Sequence, residues 1–211
     1  MCREFESHHP NYKYKGKVVV YLNTVEPIRD FELILDIQDY LKGKKNQRDY
    51  VLFMFGLYSG LRISDILQIK VRDVRDASHL YLREKKTGKE QRVPINTELK
   101  PMIREYIQGK KDYEYLFRSN RGTINKPISR QRVWQILNDI ANFFEYKDPI
   151  GCHTLRKTFG YWFYQNTKDI VSLKEIFNHS DESVTRRYIG ITQDSKEALM
   201  KSISFSSKKY R

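Results

Sequence analysis

The chain has 211 residues, which is enough for a single domain with a sizeable hydrophobic core. Hydrophobic residues make up 39% and charged residues 31%, a balance that excludes an intrinsically disordered protein. The formal net charge of +13 favours a polyanionic partner such as a nucleic-acid backbone, although solubility alone could also account for it.

The cysteine content and the lack of long apolar runs exclude several further classes of protein. The two cysteines, Cys2 and Cys152, exclude a disulfide framework and a cysteine zinc site. Cys152 precedes a histidine, but a small buried cysteine is a more common role than a thiol nucleophile. No run approaches the roughly 18 apolar residues of a membrane span, and residues 1–10 lack the apolar core of a signal peptide. We therefore expect a bacterial or phage-derived cytoplasmic protein without a membrane partner.

The N-terminal half predicts a short arm followed by helices. Residues 1–26 form a polar arm with one candidate strand at residues 18–21. Pro27 suits the first turn of a helix, and the apolar spacing that follows it continues to Gly43. A second helix, over residues 51–58, is predicted to end at Gly60 because glycine tolerates left-handed geometry. Ser64 is a plausible N-cap for a short helix after that stop.

Strand-like segments follow, and then helices dominate. Residues 71–74, 79–83 and 91–95 predict short strands, and the last two predict a hairpin with a lysine-rich tip. The remaining pattern predicts helices near residues 97–108, 129–145, 154–165, 170–177, 181–190 and 194–200. The expected fold class is therefore mainly α with a small antiparallel β-sheet (α+β), in one domain over residues 27–200 with a C-terminal tail at 201–211.

Four polar groups in the last third of the chain suggest a phosphate site. His153 and Arg156 stand three apart at a helix start, so both can address one anion there. Asn178 can adopt the left-handed turn that ends a helix, and His179 follows at that turn. Ser180 is a natural N-cap for the next helix, which carries Tyr188 about two turns in. Each pattern alone is also compatible with an ordinary surface or core residue.

The order of these motifs resembles the catalytic domain of tyrosine recombinases, the phage-integrase family. The resemblance covers most of the chain and lies in five motifs: Gly-Leu-Arg-Ile-Ser-Asp at 60–65, Lys-Thr-Gly at 86–88, His-Thr-Leu-Arg-Lys-Thr at 153–158, Asn-His-Ser at 178–180, and Thr-x-x-Tyr at 185–188. It implies the fold shared with type IB topoisomerases. It also implies cleavage and rejoining of double-stranded DNA without a metal or another cofactor, by a homotetramer assembled on DNA. A monomer in solution is one option.

The same resemblance implies a role for each matched residue. Tyr188 is similar to the nucleophile that forms a 3′-phosphotyrosine, and Arg62 and Arg156 to the pair of arginines that hold the scissile phosphate. Lys86 matches the general acid for the leaving 5′-oxygen. His153 matches the histidine that helps to deprotonate the tyrosine, and His179 one that hydrogen-bonds a phosphate oxygen. Asp65 is expected to brace the arginine region.

Two departures from the family pattern affect the expectations. The family usually has glycine before the His-Ser pair, where this chain has Asn178, and asparagine can serve the same backbone geometry. Residues 1–26 are too few for the N-terminal DNA-clamping domain that such recombinases usually carry. We therefore expect a fragment or a minimal form of such a recombinase, with weak, salt-sensitive DNA binding. The alternatives are a type IB topoisomerase-like activity and a non-catalytic DNA-binding relic of the fold.

Three further residues stand on the predicted helix at 129–145. Trp134, Arg130 and Arg132 could together contact DNA along one helix, whereas the apolar neighbours of Trp134 favour a place for its side chain in the core.

Overall fold

The computed structural model describes residues 25–44, 46–86, 88–120, 122–191 and 200–201. Within them the chain forms a mainly helical domain with one small antiparallel sheet, which confirms the predicted fold class. The elements in chain order are α1 (Phe31–Gly43), α2 (Gln47–Ser59), α3 (Ile63–Ile66), α4 (Val71–Val74), β1 (His79–Arg83), β2 (Glu90–Pro94), α5 (Leu99–Tyr106), α6 (Arg130–Phe143), α7 (Thr154–Thr167), α8 (Ile170–Ile176) and α9 (Glu182–Tyr188).

Three predictions lie wholly or almost wholly outside these residues. They are the candidate strand at 18–21, the helix at 194–200 and the tail at 201–211. None of the helices in the described ranges combines the length and the apolar character that spanning a bilayer requires.

The first helix begins later than predicted. Its N-cap is Asp30, whose side-chain oxygen accepts hydrogen bonds from the backbone N–H groups of Glu32 and Leu33 at 3.0 and 3.3 Å. Pro27 instead lies in an extended segment, residues 25–30, that packs against α7. The prediction was wrong because an aspartate cap at the start of the apolar stripe decides the helix start more strongly than an upstream proline.

Helix α2 lies at the centre of the core. Val51, Phe55 and their neighbours are buried all around the helix, and it contacts α1, α5 and α7. A Cβ on Gly56 would lie 2.5 Å from Leu155 Cδ1, so this glycine lets α7 approach closely. The helix ends at Gly60, which has φ of +60°, as predicted.

The hairpin forms as predicted, but the segment before it does not. β1 and β2 pair antiparallel with His79 opposite Pro94 and Arg83 opposite Glu90. Residues 71–74, predicted as a strand, instead form the helical turn α4. The side chain of Asp73 accepts a hydrogen bond from the Lys70 backbone N–H at 2.8 Å, which caps this turn. That local bond outweighs the strand preference of two valines.

The last two helices pack on α7 through a second apolar cluster. Leu173, Phe177 and Ile189 are fully buried there. A Cβ on Gly160 of α7 would lie 2.7 Å from Ile189 Cγ2, so only glycine permits this approach. The N-cap of α9 is Asp181, not Ser180 as predicted, and its side chain accepts from the Ser183 backbone N–H at 2.6 Å.

Candidate active site

Arg62 emerges directly after the left-handed turn at Gly60 and is held by a buried carboxylate. Its Nη1 atom lies 2.8 Å from Oε1 of Glu84, and the side chains are 14% and 0% exposed. Arg62 caps α3 through its backbone, so the predicted N-cap role of Ser64, which lies inside that helix, was wrong. The ion pair fixes the guanidinium at the junction of α3 and the sheet.

Glu84 was missed by the sequence reasoning, although a signal was present. Leu80, Leu82 and Glu84 share one parity, and residues of one parity point to one face of a strand. Glu84 follows β1 directly and is 1% exposed. A carboxylate on the buried parity of a strand indicates a charged partner inside the fold.

Asp65 holds the turn that carries Lys86. The Asp65 carboxylate is buried, and its Oδ1 accepts a hydrogen bond from the Lys85 backbone N–H at 3.0 Å. The turn closes with a Gly88 N–H to Glu84 carbonyl bond of 2.8 Å. Lys86 itself is exposed on this turn. Asp65 thus braces the base of the lysine turn, while the lysine side chain extends into solvent.

The predicted site residues are called the cluster below: Arg62, Lys86, His153, Arg156, His179 and Tyr188. Arg156 is buried, and only 2% of it is exposed. Nη1 donates to the Gly60 carbonyl at 2.7 Å and Nη2 donates to the Phe177 carbonyl at 3.0 Å. The guanidinium also lies 4.3 Å from the centroid of the Phe177 ring. One side chain therefore joins the turn after α2 to the turn after α8, and its position is fixed by both.

His179 stands on the predicted left-handed turn. Asn178 has φ of +52°, which turns the chain out of α8. The His179 Nδ1 atom lies 3.0 Å from Oγ1 of Thr185, a fully buried residue that the sequence reasoning had not assigned a role. The Thr185 hydroxyl donates to the Asp181 carbonyl at 3.3 Å. Its oxygen can therefore accept a hydrogen bond from Nδ1–H, which leaves Nε2 as the ring nitrogen without a partner in this bond.

Tyr188, the last residue of α9, faces two histidines. Its hydroxyl oxygen lies 3.4 Å from Nδ1 of His153, the residue before the first turn of α7. The Tyr188 and His179 rings meet edge to face, with centroids 5.2 Å apart. Phe177 packs against the same ring at 5.5 Å. The phenol is thus placed with a proton acceptor on one side and buried arginines nearby.

Burial and the nearby charges shift the pKa values of the Tyr188 phenol and of the His153 imidazole. Burial raises the pKa of Tyr188, while the charges of Arg156 and Arg62 act in the opposite direction. Burial also lowers the pKa of His153, and the charges of Arg130, Arg156, Lys157 and Arg62 lower it further. A neutral His153 with a bare Nδ1 can accept the phenol proton.

The stability of the fold should depend on pH through His179. Burial lowers the pKa of His179 to about 4, and the charges of Arg156, Arg62 and Lys86 add to this against the opposing effect of Glu84. An unfolded histidine titrates near about 6.5, so between these values the unfolded chain binds more protons. We expect the free energy of unfolding to fall as pH drops from about 6.5 towards about 4, with no contribution from this group at higher pH.

Urea denaturation of the wild type and His179→Gln at intervals from pH 7 to pH 4.5 checks this expectation. The variant should show a shallower loss of stability on acidification, since it lacks this proton-linked term. Equal pH dependence in the two proteins would show that His179 titrates alike in the folded and unfolded chain.

Trp134 and Cys152 lie beside the start of α7. Trp134 is 49% exposed, so the expected place in the core was wrong: its indole covers Gly151 rather than the apolar stripe of α6. Cys152 is half-buried with its thiol 3.4 Å from the Arg130 carbonyl, and burial raises the pKa of that thiol. A raised pKa disfavours the thiolate and hence a nucleophilic role.

The arrangement suits attack on a phosphate ester. Across the described ranges, no group of three His, Cys, Asp or Glu side chains is placed to hold a metal ion. The charges that act on the Tyr188 phenol are those of Arg156 and Arg62, and the buried carboxylate of Glu84 pairs with Arg62. Among the six predicted site residues, Tyr188 contacts His153 and His179 directly. Arg156 contacts Phe177, which packs on the Tyr188 ring, and the charges of Arg62 and Lys86 act on His179. Guanidinium forks can hold the non-bridging oxygens of a phosphate.

Comparison with known proteins gives a consistent result. A family model described as the phage integrase family matches residues 29–194. The probable integrase/recombinase YoeC of Bacillus subtilis (strain 168) is 49% identical over 180 residues, which cover 85% of this chain and 97% of YoeC. The tyrosine recombinase XerA of Pyrococcus furiosus is 30% identical over 75% of this chain, but the match spans only 55% of XerA.

The fold has a counterpart among solved structures. The XerH site-specific recombinase, in a post-cleavage complex with a palindromic difH substrate, superimposes with a TM-score of 0.66 and 20% identity. The match covers 85% of this chain and 52% of the XerH chain. At this level of identity the comparison establishes a common fold.

Proposed function

This chain belongs to the phage integrase family, and from that membership and the cluster around Tyr188 we propose that it cleaves and rejoins DNA strands in site-specific recombination. The proposed substrate is double-stranded DNA, with a 3′-phosphotyrosine as the covalent intermediate. The proposed active assembly is a homotetramer on DNA. The single observation that carries the proposal is the 3.4 Å contact between the Tyr188 hydroxyl and His153, beside the buried Arg156.

In the first step the Tyr188 oxygen attacks the scissile phosphorus. A free phenol has a pKa of about 10 and is a weak nucleophile at neutral pH. His153 accepts the phenol proton as the oxygen–phosphorus bond forms. The bond from phosphorus to the 5′-oxygen breaks, and Lys86 donates a proton to that leaving oxygen. Its exposed place on the β1–β2 turn allows Lys86 to close on the DNA.

The arginines stabilise the charge that develops on the phosphate. Arg156 has two donors engaged by main-chain carbonyls, so its remaining N–H groups are oriented before substrate arrives. Arg62 is oriented by Glu84 in the same way. His179 donates from Nε2 once the arriving phosphate raises its pKa and the ring takes up a second proton.

In the second step a free 5′-hydroxyl attacks the phosphotyrosine. The phosphorus–tyrosine bond breaks, a new phosphodiester forms, and the proton steps run in reverse. When that hydroxyl comes from another strand, the result is strand exchange rather than degradation. The ester keeps the energy of the original bond, so the proposed reaction needs no nucleotide cofactor.

The surface next to the cluster supports binding to a phosphate backbone. Arg130 lies close enough to His153 to lower the pKa of its imidazole. On the same helix Trp134 is exposed and Arg132 is partly exposed. We include these three residues in the proposed DNA interface. The net charge of +13 adds a sequence-independent attraction that salt weakens.

A nicked suicide duplex tests the proposal. A library of such duplexes with a randomised core overcomes the unknown target sequence, since covalent complexes can be recovered after denaturation and the bound DNA sequenced. We expect the protein to be retained on a 5′-labelled strand, because a 3′-phosphotyrosine leaves the 5′ portion attached. The short 3′ fragment should be released with a free 5′-hydroxyl.

Two outcomes would contradict the proposal. One is the absence of any denaturation-resistant complex at protein and DNA concentrations that saturate binding, which would favour a non-catalytic DNA-binding protein. The other is retention of protein on the 3′ fragment. Relaxation of supercoiled plasmid without recombinant products would indicate instead the type IB topoisomerase-like activity, by the same chemistry.

A further inference from the structure

The extended segment before α1, residues 25–30, is fixed along the active-site helix α7. The Glu26 backbone N–H donates to the Pro149 carbonyl at 2.9 Å. The Ile28 N–H donates to Thr158 Oγ1 at 2.9 Å, and Trp162 Nε1 donates to the Ile28 carbonyl at 3.0 Å. Ile28 itself is fully buried. This segment, called the lead-in segment below, is therefore held in place by main-chain bonds and by core packing.

An ion pair on the lead-in segment touches the chain just beyond Tyr188. Arg29 Nη2 donates to Glu26 Oε2 at 2.6 Å, with both side chains partly exposed. A Cβ built on Gly190 would lie 2.4 Å from that Nη2 atom and 3.4 Å from that Oε2 atom. Gly190 also has φ of +75°. The pair thus rests directly on the backbone two residues after the tyrosine, where an added Cβ would displace the Arg29 guanidinium.

The charge of the same carboxylate acts on a second residue that touches Tyr188. Lys157 of α7 is 8% exposed, and its ammonium lies 5.3 Å from the centroid of the Tyr188 ring. Burial lowers the pKa of Lys157, while the charge of Glu26 raises it and that of Arg29 lowers it. The lead-in segment therefore acts on the tyrosine region by its contact with Gly190 and by its charges on Lys157.

The helix that carries the tyrosine depends on such contacts. α9 has only seven residues, and a helix of that length has little stability of its own in water. The buried Ile189 anchors its end on one side, and the ion pair limits it on the other. A displacement of the nucleophile by about 1 Å can cost about 10²-fold in rate.

We propose that Glu26 and Arg29 are positioning residues for the nucleophile: their ion pair clamps the chain at Gly190 and so sets where the Tyr188 hydroxyl stands. The clamp rests on the proposed strand cleavage for its effect on catalysis. It also links the chain just before α1 to the reacting group.

A double-mutant cycle with a matched glycine control tests the clamp on the nicked duplex. Gly190→Ala should lower the single-turnover cleavage rate about 10²-fold at saturating DNA, and Arg29→Ala about tenfold, since it removes the clamp without a clash. The double variant should lose less than the sum of the two single losses, because the space for the added methyl group is then open and only the backbone strain at φ of +75° remains. Gly109→Ala isolates backbone strain: Gly109 has φ of +73° and nothing within 4 Å of its would-be Cβ.

Amide hydrogen exchange provides a second measurement, which does not depend on cleavage. It uses Arg29→Ala and Glu26→Gln, so the clamp can still be tested if Gly190→Ala fails to fold. In the DNA-free protein, the backbone amides of α9 should exchange with solvent about tenfold faster in Arg29→Ala and in the milder Glu26→Gln than in wild type, with the amides of α2 unchanged. Unchanged exchange in α9 would overturn the clamp whether or not the protein cleaves DNA. Wild-type cleavage by Arg29→Ala, or additive losses in the double variant, would overturn it as well.

Discussion

Tyr188→Phe is expected to abolish the covalent protein–DNA complex, with a reduction of about 10³-fold or more in trapped adduct on the nicked duplex. The substitution removes only the hydroxyl that lies 3.4 Å from His153. The ring contacts with Phe177 and His179 are kept, so the fold and DNA affinity should change little. A denaturing gel of the suicide reaction, with a mobility-shift titration beside it, measures both quantities.

A surface tyrosine provides the matched control for this change. Tyr81 lies on β1 and is 75% exposed, so Tyr81→Phe removes a hydroxyl from the hairpin without touching the cluster. Its adduct yield should equal that of the wild type. Persistence of the adduct in Tyr188→Phe would place the nucleophile on another side chain and would refute the proposed chemistry.

Arg156→Ala is expected to damage stability and catalysis together. It removes a guanidinium that is 2% exposed and leaves the buried carbonyls of Gly60 and Phe177 without their donors. Each buried carbonyl left without its donor lowers the free energy of unfolding by about 1–3 kcal/mol. Urea denaturation measures that loss, and the alanine variant alone cannot separate unfolding from lost phosphate contacts.

Arg156→Lys separates the two effects. Lysine keeps the positive charge but cannot bridge two carbonyls with a planar fork. We expect a folded protein whose single-turnover cleavage rate falls about 10²-fold or more at saturating DNA. Arg104→Ala, which removes an exposed arginine from α5, should leave both stability and cleavage unchanged. A lysine variant that cleaves at the wild-type rate would contradict the assignment of Arg156 to the phosphate.

The elements predicted well are those with a strong local signal. Gly60 and Asn178 adopt the left-handed turns that their residue types favour, and the hairpin follows from alternation around a lysine-rich tip. The wrong predictions, for the starts of α1 and α9 and for a strand at residues 71–74, have a common physical origin. At α1 and α9 an aspartate caps the helix in place of the expected proline turn or serine, and in α4 the Asp73 carboxylate closes a helical turn that the valines disfavour.

The sequence predicted the charged groups of the proposed site, but not the residues that hold them in place. Motif order singled out Arg62, His153 and Tyr188, which the fold then brings into one region. The residues that hold these groups in place lie in distant segments of the chain. Local spacing therefore could not predict that Glu84 pairs with Arg62 or that the lead-in segment contacts the end of α9. For Glu84, the sequence indicated burial, because it has the same parity as the apolar residues of β1, and residues of one parity point to one face.

The two carbonyl bonds of Arg156 have a consequence for when the site becomes ordered. A long side chain gives up rotamer freedom worth roughly 2 kcal/mol when it is immobilised. For Arg156 that entropy is lost as the chain folds, since Gly60 and Phe177 hold it in the free protein. Lys86, exposed on its turn, would lose the same freedom only on meeting the substrate. In the proposed reaction, the domain would therefore meet DNA with the phosphate-binding arginine already rigid and the proton-donating lysine immobilised last.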